Sequence, residues 1–424
     1  MFRSTHAVRA AALAGTVALV LTACSSGGTD DAGSTETEDA AAGSAPLKVG
    51  SLLPQTGSLA FLGPPEIAGV DLAKEEINAA GGVLGQDVEV VHTDSSDADN
   101  AEVATQSVTD LISQDVSVIV GAASSSVTRN VIDDITGAEI VQISPANTAT
   151  DLSGYSPFYF RTAPSDIVQG NALANLIIGD GHTRVAFLVF NDDYGTSLRD
   201  VASATLEEAG VEVSYGNPGE EFDPASDDVI PSAVTAAMAT SPEAIVVIAF
   251  DQTKLIVPAL QTAGFDTSKL YFVDGNLADY SADFEPGTLE GAQGTLPGAF
   301  PSEDFQERLL GVNPDLTDYS YAAESYDAVI LSALAAIRGE GTDGPTIQEN
   351  MAAVSGAEGG TACSTFEECA QLLEDGEEID YETVSGAGAF NDSNDPSSAF
   401  IGIYQFGPDN KNAWVKAEEG EAAA

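Results

Sequence analysis

The chain has 424 residues, of which 43% are hydrophobic and 7% aromatic, a globular profile long enough for two domains of ordinary size. Its formal net charge at pH 7 is −53, from 67 acidic residues and only 14 Lys or Arg residues. So acidic a surface excludes nucleic acid as a partner, because nucleic-acid binding depends on basic side chains that neutralise phosphates.

Residues 1–23 predict a secretory signal peptide. Arg3 and Arg9 flank the start of an apolar run, and the letters LTAC at 21–24 place a small-residue cleavage site directly before Cys24. This pattern resembles the bacterial lipobox, which implies that Cys24 becomes the lipidated first residue of the mature chain. A plain secretory signal is the alternative. Residues 24–46 then form a lipidated cysteine and a flexible acidic tether that hold the protein at the extracytoplasmic face of the cell membrane.

Short β-branched runs alternate with helical stretches from residue 47 onward. Strands are predicted at 47–54, 87–93, 116–122 and 139–144, with a helix at 65–80 that ends before two glycines. The alternation restarts with strands at 184–190, 211–216, 244–250 and 269–274 and helices at 165–179 and 253–263. A long helix at 319–338 follows, and a strand at 399–406 closes the fold. This order predicts an α/β protein with two doubly wound parallel-sheet lobes.

Residues that perform catalysis are scarce in this sequence. Beyond the signal peptide only His92 and His182 remain, and no nucleophile elbow or glycine-rich phosphate loop follows a strand. We therefore expect a protein that is not an enzyme and that has no metal and no cofactor. Cys363 and Cys369 stand close together, and in an oxidising exterior they are expected to form a local disulfide.

Polar loops follow several of the predicted strands. They are 121–130, 144–150, 191–195, 250–253 and 273–276. Open α/β sheets bind ligands at the carboxyl ends of their strands, beside helix N-termini whose free N–H groups suit a carboxylate. Each loop alone is also consistent with an ordinary cap or turn, and it is their matching positions that predict a ligand site.

Six segments together resemble a known family. They are 50–85, GAASSSVT at 121–128, ISPANTATDLS at 143–153, FRTAPSD at 160–166, NDDYG at 191–195 and YAAESYDAV at 321–329. The chain is similar to the type I periplasmic binding proteins of ABC importers, in the branch for branched-chain amino acids and related amino acids or amides. The resemblance covers nearly all of 47–406.

The resemblance implies two lobes joined by three hinge crossovers, with a ligand cleft between the lobes. The crossovers are expected near 161–163, 294–297 and 386–390. The first lobe would comprise 47–162 with 296–387, and the second 163–295 with 388–424.

The resemblance also implies ligand-binding residues. The family's carboxylate-binding serine matches Ser124, Ser125 or Ser126, and its further contacts to the amino-acid head group match the carbonyl of Ala146 and the hydroxyl and amide of Thr148. From the second lobe, Tyr194 would close over the ligand and Asp274 would pair with the ammonium group. Phe61 or Leu62 would touch the ligand side chain, and Phe250 or Asp251 stands where another aromatic is common.

The function that these expectations describe is a monomeric solute-binding lipoprotein that captures an amino acid and delivers it to an ABC permease. Asp274 is shorter than the glutamate that often occupies its position, and Asp251 adds a second acid. A small amide such as urea, or another carboxylate, is therefore the alternative ligand. An envelope sensor of the same fold is the alternative role.

Overall fold

The structure is a computed structural model and describes residues 45–421. The predicted signal peptide and Cys24 lie outside these residues. The described part contains these strands: β1 (Lys48–Leu53), β2 (Glu89–Asp94), β3 (Val118–Gly121), β4 (Val141–Ser144), β5 (Tyr159–Arg161), β6 (Arg184–Val189), β7 (Glu212–Tyr215), β8 (Ala244–Ile248), β9 (Leu270–Phe272), β10 (Gln293–Pro297), β11 (Thr361–Cys363), β12 (Ile379–Tyr381), β13 (Ser398–Phe406) and β14 (Asn412–Glu421).

The α-helices of the described part lie between these strands. They are α1 (Gly63–Ala79), α2 (Ala101–Ser113), α3 (Ser125–Gly137), α4 (Asp166–Gly179), α5 (Asp193–Glu208), α6 (Ile230–Ala239), α7 (Thr253–Thr262), α8 (Glu303–Val312), α9 (Ala322–Arg338), α10 (Gly344–Val354) and α11 (Phe366–Glu374). None of the described helices is long and apolar enough to span a membrane.

Two sheets organise the chain, and we call the parts built around them the first and second lobes. The first sheet has the parallel order β2-β1-β3-β4-β5. The second has the order β14-β13-β10-β9-β8-β6-β7, in which only β13 and β14 pair antiparallel to their neighbours. The predicted α/β fold with two sheet-based lobes is confirmed.

One sequence-based expectation about the fold is wrong. The strand at 399–406 does not close it, because β14 follows and pairs with β13 along its whole length. The burial pattern of β14 is mostly exposed, so it lacks the apolar alternation that identifies a strand in a sequence. Backbone pairing with β13 stabilises β14 where its side chains do not.

The interior of the first lobe depends on α9. All but the last two residues of this helix are buried, as expected for a helix with apolar residues on every face. Asp327 on α9 is also buried, and its carboxylate accepts hydrogen bonds from the Tyr381 hydroxyl (2.8 Å) and from the Val384 and Ser385 N–H groups. This buried acid attaches the segment after β12 to the lobe core.

The chain passes between the lobes after β5, after β10 and again between β12 and β13. Arg161 at the end of β5 is fully buried and binds Asp395 of the third passage through two hydrogen bonds, of 2.7 and 2.6 Å. Its remaining N–H groups donate to the Ala149 carbonyl and the Ser153 hydroxyl. The first and third passages are therefore joined by one buried ion pair.

Cys363 of β11 and Cys369 of α11 are joined by a disulfide, with their Cα atoms 5.4 Å apart. Both cysteines are buried in the core of the first lobe. The bridge closes a short local loop, as the spacing in the sequence indicates.

Candidate ligand-binding site

A cavity lies between the two lobes at the carboxyl ends of their strands. It encloses about 280 Å³ of space, a volume that includes its open mouth, and residues of both lobes border it. The residues that line it are Leu59, Leu62, Ala123, Ser124, Ser125, Ala146, Asn147, Tyr194, Phe250, Asp274, Gly275 and Tyr321.

The first lobe contributes the N-terminus of α3. Ser124 caps this helix, and its hydroxyl accepts a hydrogen bond from the Val127 N–H. The first N–H groups of a helix have no partner within it and carry a partial positive charge. Ser125 lies beside them, and its hydroxyl oxygen accepts hydrogen bonds from the Thr148 and Ala149 N–H groups. This wall of the cavity is suited to an anionic group.

The second lobe contributes a carboxylate opposite that wall. Asp274 follows β9 and is 6% exposed. Its Oδ1 accepts hydrogen bonds from the Tyr194 hydroxyl (2.5 Å) and the Gln169 amide (2.8 Å), and its Oδ2 accepts one from the Tyr321 hydroxyl (2.7 Å). Burial raises the pKa of Asp274, and the three hydrogen bonds act against this rise. Neutral donors hold the carboxyl, but no cation among the described residues pairs with it.

Tyr321 and Gln169 both contact Asp274, but the sequence does not predict them as site residues. Tyr321 reaches Asp274 from the first lobe and has a left-handed backbone with φ of 59°, which is rare outside glycine and common at functional sites. It lies in the segment YAAESYDAV that carried the family resemblance, so the motif was visible although its role was not. No sequence motif identifies Gln169, because its amide contacts Asp274 only through the packing of α4.

Asp166 is a second buried acid that the sequence does not predict as a site residue. It stands at the first position of α4, and neither carboxyl oxygen has a hydrogen-bond partner of ordinary geometry. The hydroxyls of Thr148 and Ser197 lie nearby and favour its ionised form, but burial dominates and raises its pKa to about 7. The negative charge of Asp274 raises this pKa further. The two buried acids therefore favour the binding of a cation in this part of the site.

We predict that Asp166 makes the stability of the ligand-free protein depend on pH. Its pKa rises from 3.8 to about 7 on folding, so the native state binds more protons than the unfolded chain between these values. The free energy of unfolding then falls as the pH rises through this window. Asp166→Asn removes that loss, and its stability should gain about 2–4 kcal/mol on wild type across the window.

Urea unfolding of both proteins at about pH 5.5 and about pH 7.5 measures this difference. Parallel pH profiles for wild type and variant would contradict the prediction.

The other predicted residues are divided among three places. Leu62, Ala146, Tyr194 and Phe250 line the cavity, with the Phe250 ring stacked on Tyr194 at a centroid distance of 5.8 Å. Thr148 is fully buried and does not line the cavity, and its hydroxyl lies near the Asp166 carboxyl. Phe61 and Asp251 line a neighbouring outer cavity, where Asp251 pairs with Lys254 (3.2 Å).

Ser126 connects the lobes instead of lining the cavity. Its hydroxyl donates to the Asp192 carboxylate of the second lobe (2.6 Å). One turn further along α3, Arg129 binds Asp193 at 3.0 Å and also pairs with Asp151. These contacts between α3 and the start of α5 hold the cavity closed on one side.

Gly275 explains how closely the second lobe surrounds the cavity. A Cβ atom at this position would lie 2.7 Å from the Phe250 ring and 3.2 Å from the Tyr194 ring. Only glycine permits the two rings to approach the loop after β9, so this loop, the rings and Asp274 form one packed unit.

Comparisons with known proteins agree with this architecture. A family model described as "Periplasmic binding protein" matches residues 46–373. A leucine-, isoleucine-, valine-, threonine- and alanine-binding protein of Pseudomonas aeruginosa is 31% identical over 173 residues, 40% of this chain and 45% of that protein. The alignment thus spans less than half of that relative. The chemotactic signal transduction system substrate-binding protein BasB of Halobacterium salinarum is 26% identical over 358 residues, 80% of this chain and 82% of that protein.

Solved structures share the fold. The branched-chain amino acid transporter substrate-binding protein LivJ from Streptococcus pneumoniae, in complex with isoleucine, has a TM-score of 0.72 at 22% identity and covers 89% of this chain and 100% of that chain. An ABC transporter solute-binding protein from R. palustris, in complex with 4-hydroxybenzoate, has a TM-score of 0.71 at 16% identity, with coverage of 89% and 97%. The chain therefore belongs to the periplasmic binding protein family, and its two-lobed fold is that of the type I periplasmic binding proteins.

Proposed function

We propose that the protein captures a free α-amino acid, branched-chain or related, and delivers it to an ABC permease. One observation carries the proposal. A single cavity sets the α3 N-terminus and Ser125 of the first lobe against the buried Asp274 of the second. A partial positive charge on one wall and a carboxylate on the opposite wall are what the two charged ends of a zwitterion require.

The head group of the ligand would use these two walls. The carboxylate would accept from the N–H groups at the start of α3, and the ammonium group would donate to Asp274, with Asp166 nearby as a second acid. The ligand side chain would face the apolar part of the lining, formed by Leu59, Leu62 and Phe250. Burial of an alkyl side chain there contributes about 0.8 kcal/mol per methylene, which favours a branched-chain ligand.

Capture in this proposal follows from movement of the lobes. The first lobe, 47–162 with 296–387, and the second, 163–295 with 388–424, would open about the three passages and close on the ligand. Contacts of the Ser126–Asp192 kind cross the cleft and would form only on closure. The closed form would be the one that the permease recognises.

Two relatives suggest other readings. A ligand such as 4-hydroxybenzoate carries no ammonium group, and binding it would leave the Asp274 carboxyl buried without a cationic partner, which is costly. The similarity to BasB over most of the chain supports a sensor role as the second candidate. Capture of the ligand is common to both roles, and the membrane partner separates them. Co-purification with a permease favours transport, and co-purification with a transducer favours sensing.

The ligand class is tested by native mass spectrometry of gently purified protein, followed by calorimetry of dialysed protein. The panel contains leucine, isoleucine, valine, urea and 4-hydroxybenzoate. Saturable binding of an amino acid, with the others weaker, is expected. Binding of urea or 4-hydroxybenzoate with no amino acid bound would overturn the proposal.

We also propose that Cys24, in the segment LTAC, carries a lipid that anchors the protein outside the cytoplasm. Cys24→Ala is expected to move the protein from the membrane fraction to the soluble fraction. Fractionation of cells fed a labelled fatty acid measures both localisation and label, and the variant Cys363→Ala serves as the control for general loss of a cysteine. A variant at Cys24 that stays on the membrane would contradict the anchor.

A further inference from the structure

A second, larger cavity lies beside the first and shares Tyr321 with it. We call it the lateral cavity. It encloses about 1370 Å³ including its open mouth, and it is bordered by the second passage between the lobes, at Pro297 and Ala299. Residues of both lobes line it, so it is part of the space between them. The proposed amino-acid site leaves its purpose unexplained.

Aromatic side chains form one wall of the lateral cavity. Tyr404 on β13 pairs in register with Trp414 on β14, so both rings lie on the same face of this two-stranded ribbon. The Phe300 ring packs against Trp414 with centroids 5.5 Å apart. Phe300 is 46% exposed and Trp414 is 42% exposed, which is unusual for side chains of this size. The Phe300 and Trp414 rings are therefore partly open to solvent on this wall.

Glu324, in the first turn of α9, supplies a buried carboxyl to the same cavity. It is 3% exposed, and its Oε1 lies 2.2 Å from where a Cβ atom on Gly298 would be, so the carboxyl presses against the backbone of the second passage. Within residues 45–421 no other side chain hydrogen-bonds or ion-pairs with it, and the backbone N–H of Glu324 itself is the donor that favours its ionised form. Burial raises its pKa to about 8, in the direction expected of an acid without a cationic partner.

The remaining charges of the lateral cavity are also mainly negative. Asp279, Asp318 and Glu324 line it together with a single base, Lys411. Lys411 pairs with Asp279 at 2.7 Å, which leaves Asp318 and Glu324 uncompensated. An anion would be repelled here, and a neutral apolar molecule would leave the Glu324 carboxyl unsatisfied.

We propose that the lateral cavity is a second ligand site, which binds an organic monocation of the alkylammonium class. Glu324 is the counter-ion, since a cation bound beside it favours the ionised form of this carboxyl. The rings of Trp414 and Tyr404 contact the alkylated head. Aromatic faces attract such cations through the negative charge of their π systems, most strongly for Trp. This site is separate from the amino-acid site and does not depend on its assignment.

Choline and its uncharged carbon isostere, an alcohol with a tert-butyl group in place of the trimethylammonium group, test this proposal. Trp414 is the only tryptophan of the chain, so its fluorescence reports from the wall of the lateral cavity alone. Choline is expected to change this fluorescence saturably, and the isostere should bind at least about tenfold more weakly because it lacks the charge. Equal affinities, or no saturation with choline, would overturn the proposal.

Three variants identify the groups responsible. Glu324→Gln should weaken choline binding about tenfold or more, because a charge-assisted contact becomes neutral. The corresponding acid-to-amide change Asp315→Asn, at an exposed residue that does not line the cavity, should leave affinity within about twofold. Trp414→Leu should also weaken choline binding, measured by calorimetry. Because Trp414 is partly exposed, this variant is expected to fold, and it tests the proposal even if Glu324→Gln folds poorly.

The variant Phe250→Leu separates the two cavities. It removes an aromatic face of the amino-acid cavity and should retain choline binding, since Phe250 does not line the lateral cavity. Loss of choline binding in Phe250→Leu together with its retention in Trp414→Leu would place the cation in the amino-acid cavity and overturn the proposal.

Discussion

Replacing Asp274 by Asn is expected to weaken amino-acid binding roughly 30-fold to several thousand-fold, since losing one partner of a buried charge pair costs about 2–5 kcal/mol. The ammonium group of the ligand loses its water when the lobes close and needs a charged partner in exchange. Asn keeps the size of the side chain; its oxygen can accept from one of the two tyrosine hydroxyls, and its NH2 group can donate to the other. The loss should therefore come from charge and not from packing.

Calorimetry with the amino acid that wild type binds best measures this effect. Asp228→Asn makes the same chemical change at an exposed acid of the second lobe and should leave affinity within about twofold. Equal affinity of Asp274→Asn and wild type would remove Asp274 from the site. A strong loss with intact folding would support the proposed ammonium partner.

The second large effect is expected on stability, from Asp395→Ala. Arg161 is fully buried, and Asp395 is its only anionic partner in a direct contact within residues 45–421. Removing one member of a buried ion pair leaves an uncompensated charge and costs about 3–5 kcal/mol. The cost should be large here because the pair joins two of the three passages between the lobes.

Urea unfolding measures the cost, and the exposed pair of Asp304 with Arg308 provides the control. The Asp304 side chain is 83% exposed and lies 3.6 Å from Arg308, so Asp304→Ala should cost only about 0–1 kcal/mol. The double variant Arg161→Met/Asp395→Leu removes both charges and should regain much of the loss. A single variant as stable as the Asp304 control would show that the buried pair contributes little.

The strands and helices that form the site could be predicted from the sequence, whereas most of its side-chain contacts could not. The end of β9 was identified by the short apolar run before Asp274, and α3 by the polar residues after β3. Such signals are local, because strand length, helix capping and the alternation of strands with helices are set by neighbouring residues. Ser124, Ser125 and Asp274 were expected at the site from the family resemblance, and all three line one cavity.

The contact of Ser126 could not be predicted from the residues around it. The sequence offers three adjacent serines of equal chemistry, and only the rotation of α3 relative to α5 decides that the third meets Asp192 across the cleft. Asp166, Gln169 and Tyr321 were not selected for a related reason. Their side chains reach the site from segments far apart in the chain, and nothing in the residues around them indicates that contact.

The sequence by itself therefore determined the two-lobed α/β fold and the strand ends that face the cleft, and the family resemblance pointed to Asp274. Only the tertiary structure decided that Tyr321 of the first lobe donates to Asp274 of the second (2.7 Å), that Arg161 is neutralised by Asp395 and that β14 supplies Trp414 to the lateral cavity. Periodicity and capping act over a few residues, whereas these contacts join segments 47 and 234 residues apart in two of the three cases. Their geometry follows from how the lobes pack, which no short stretch of sequence encodes.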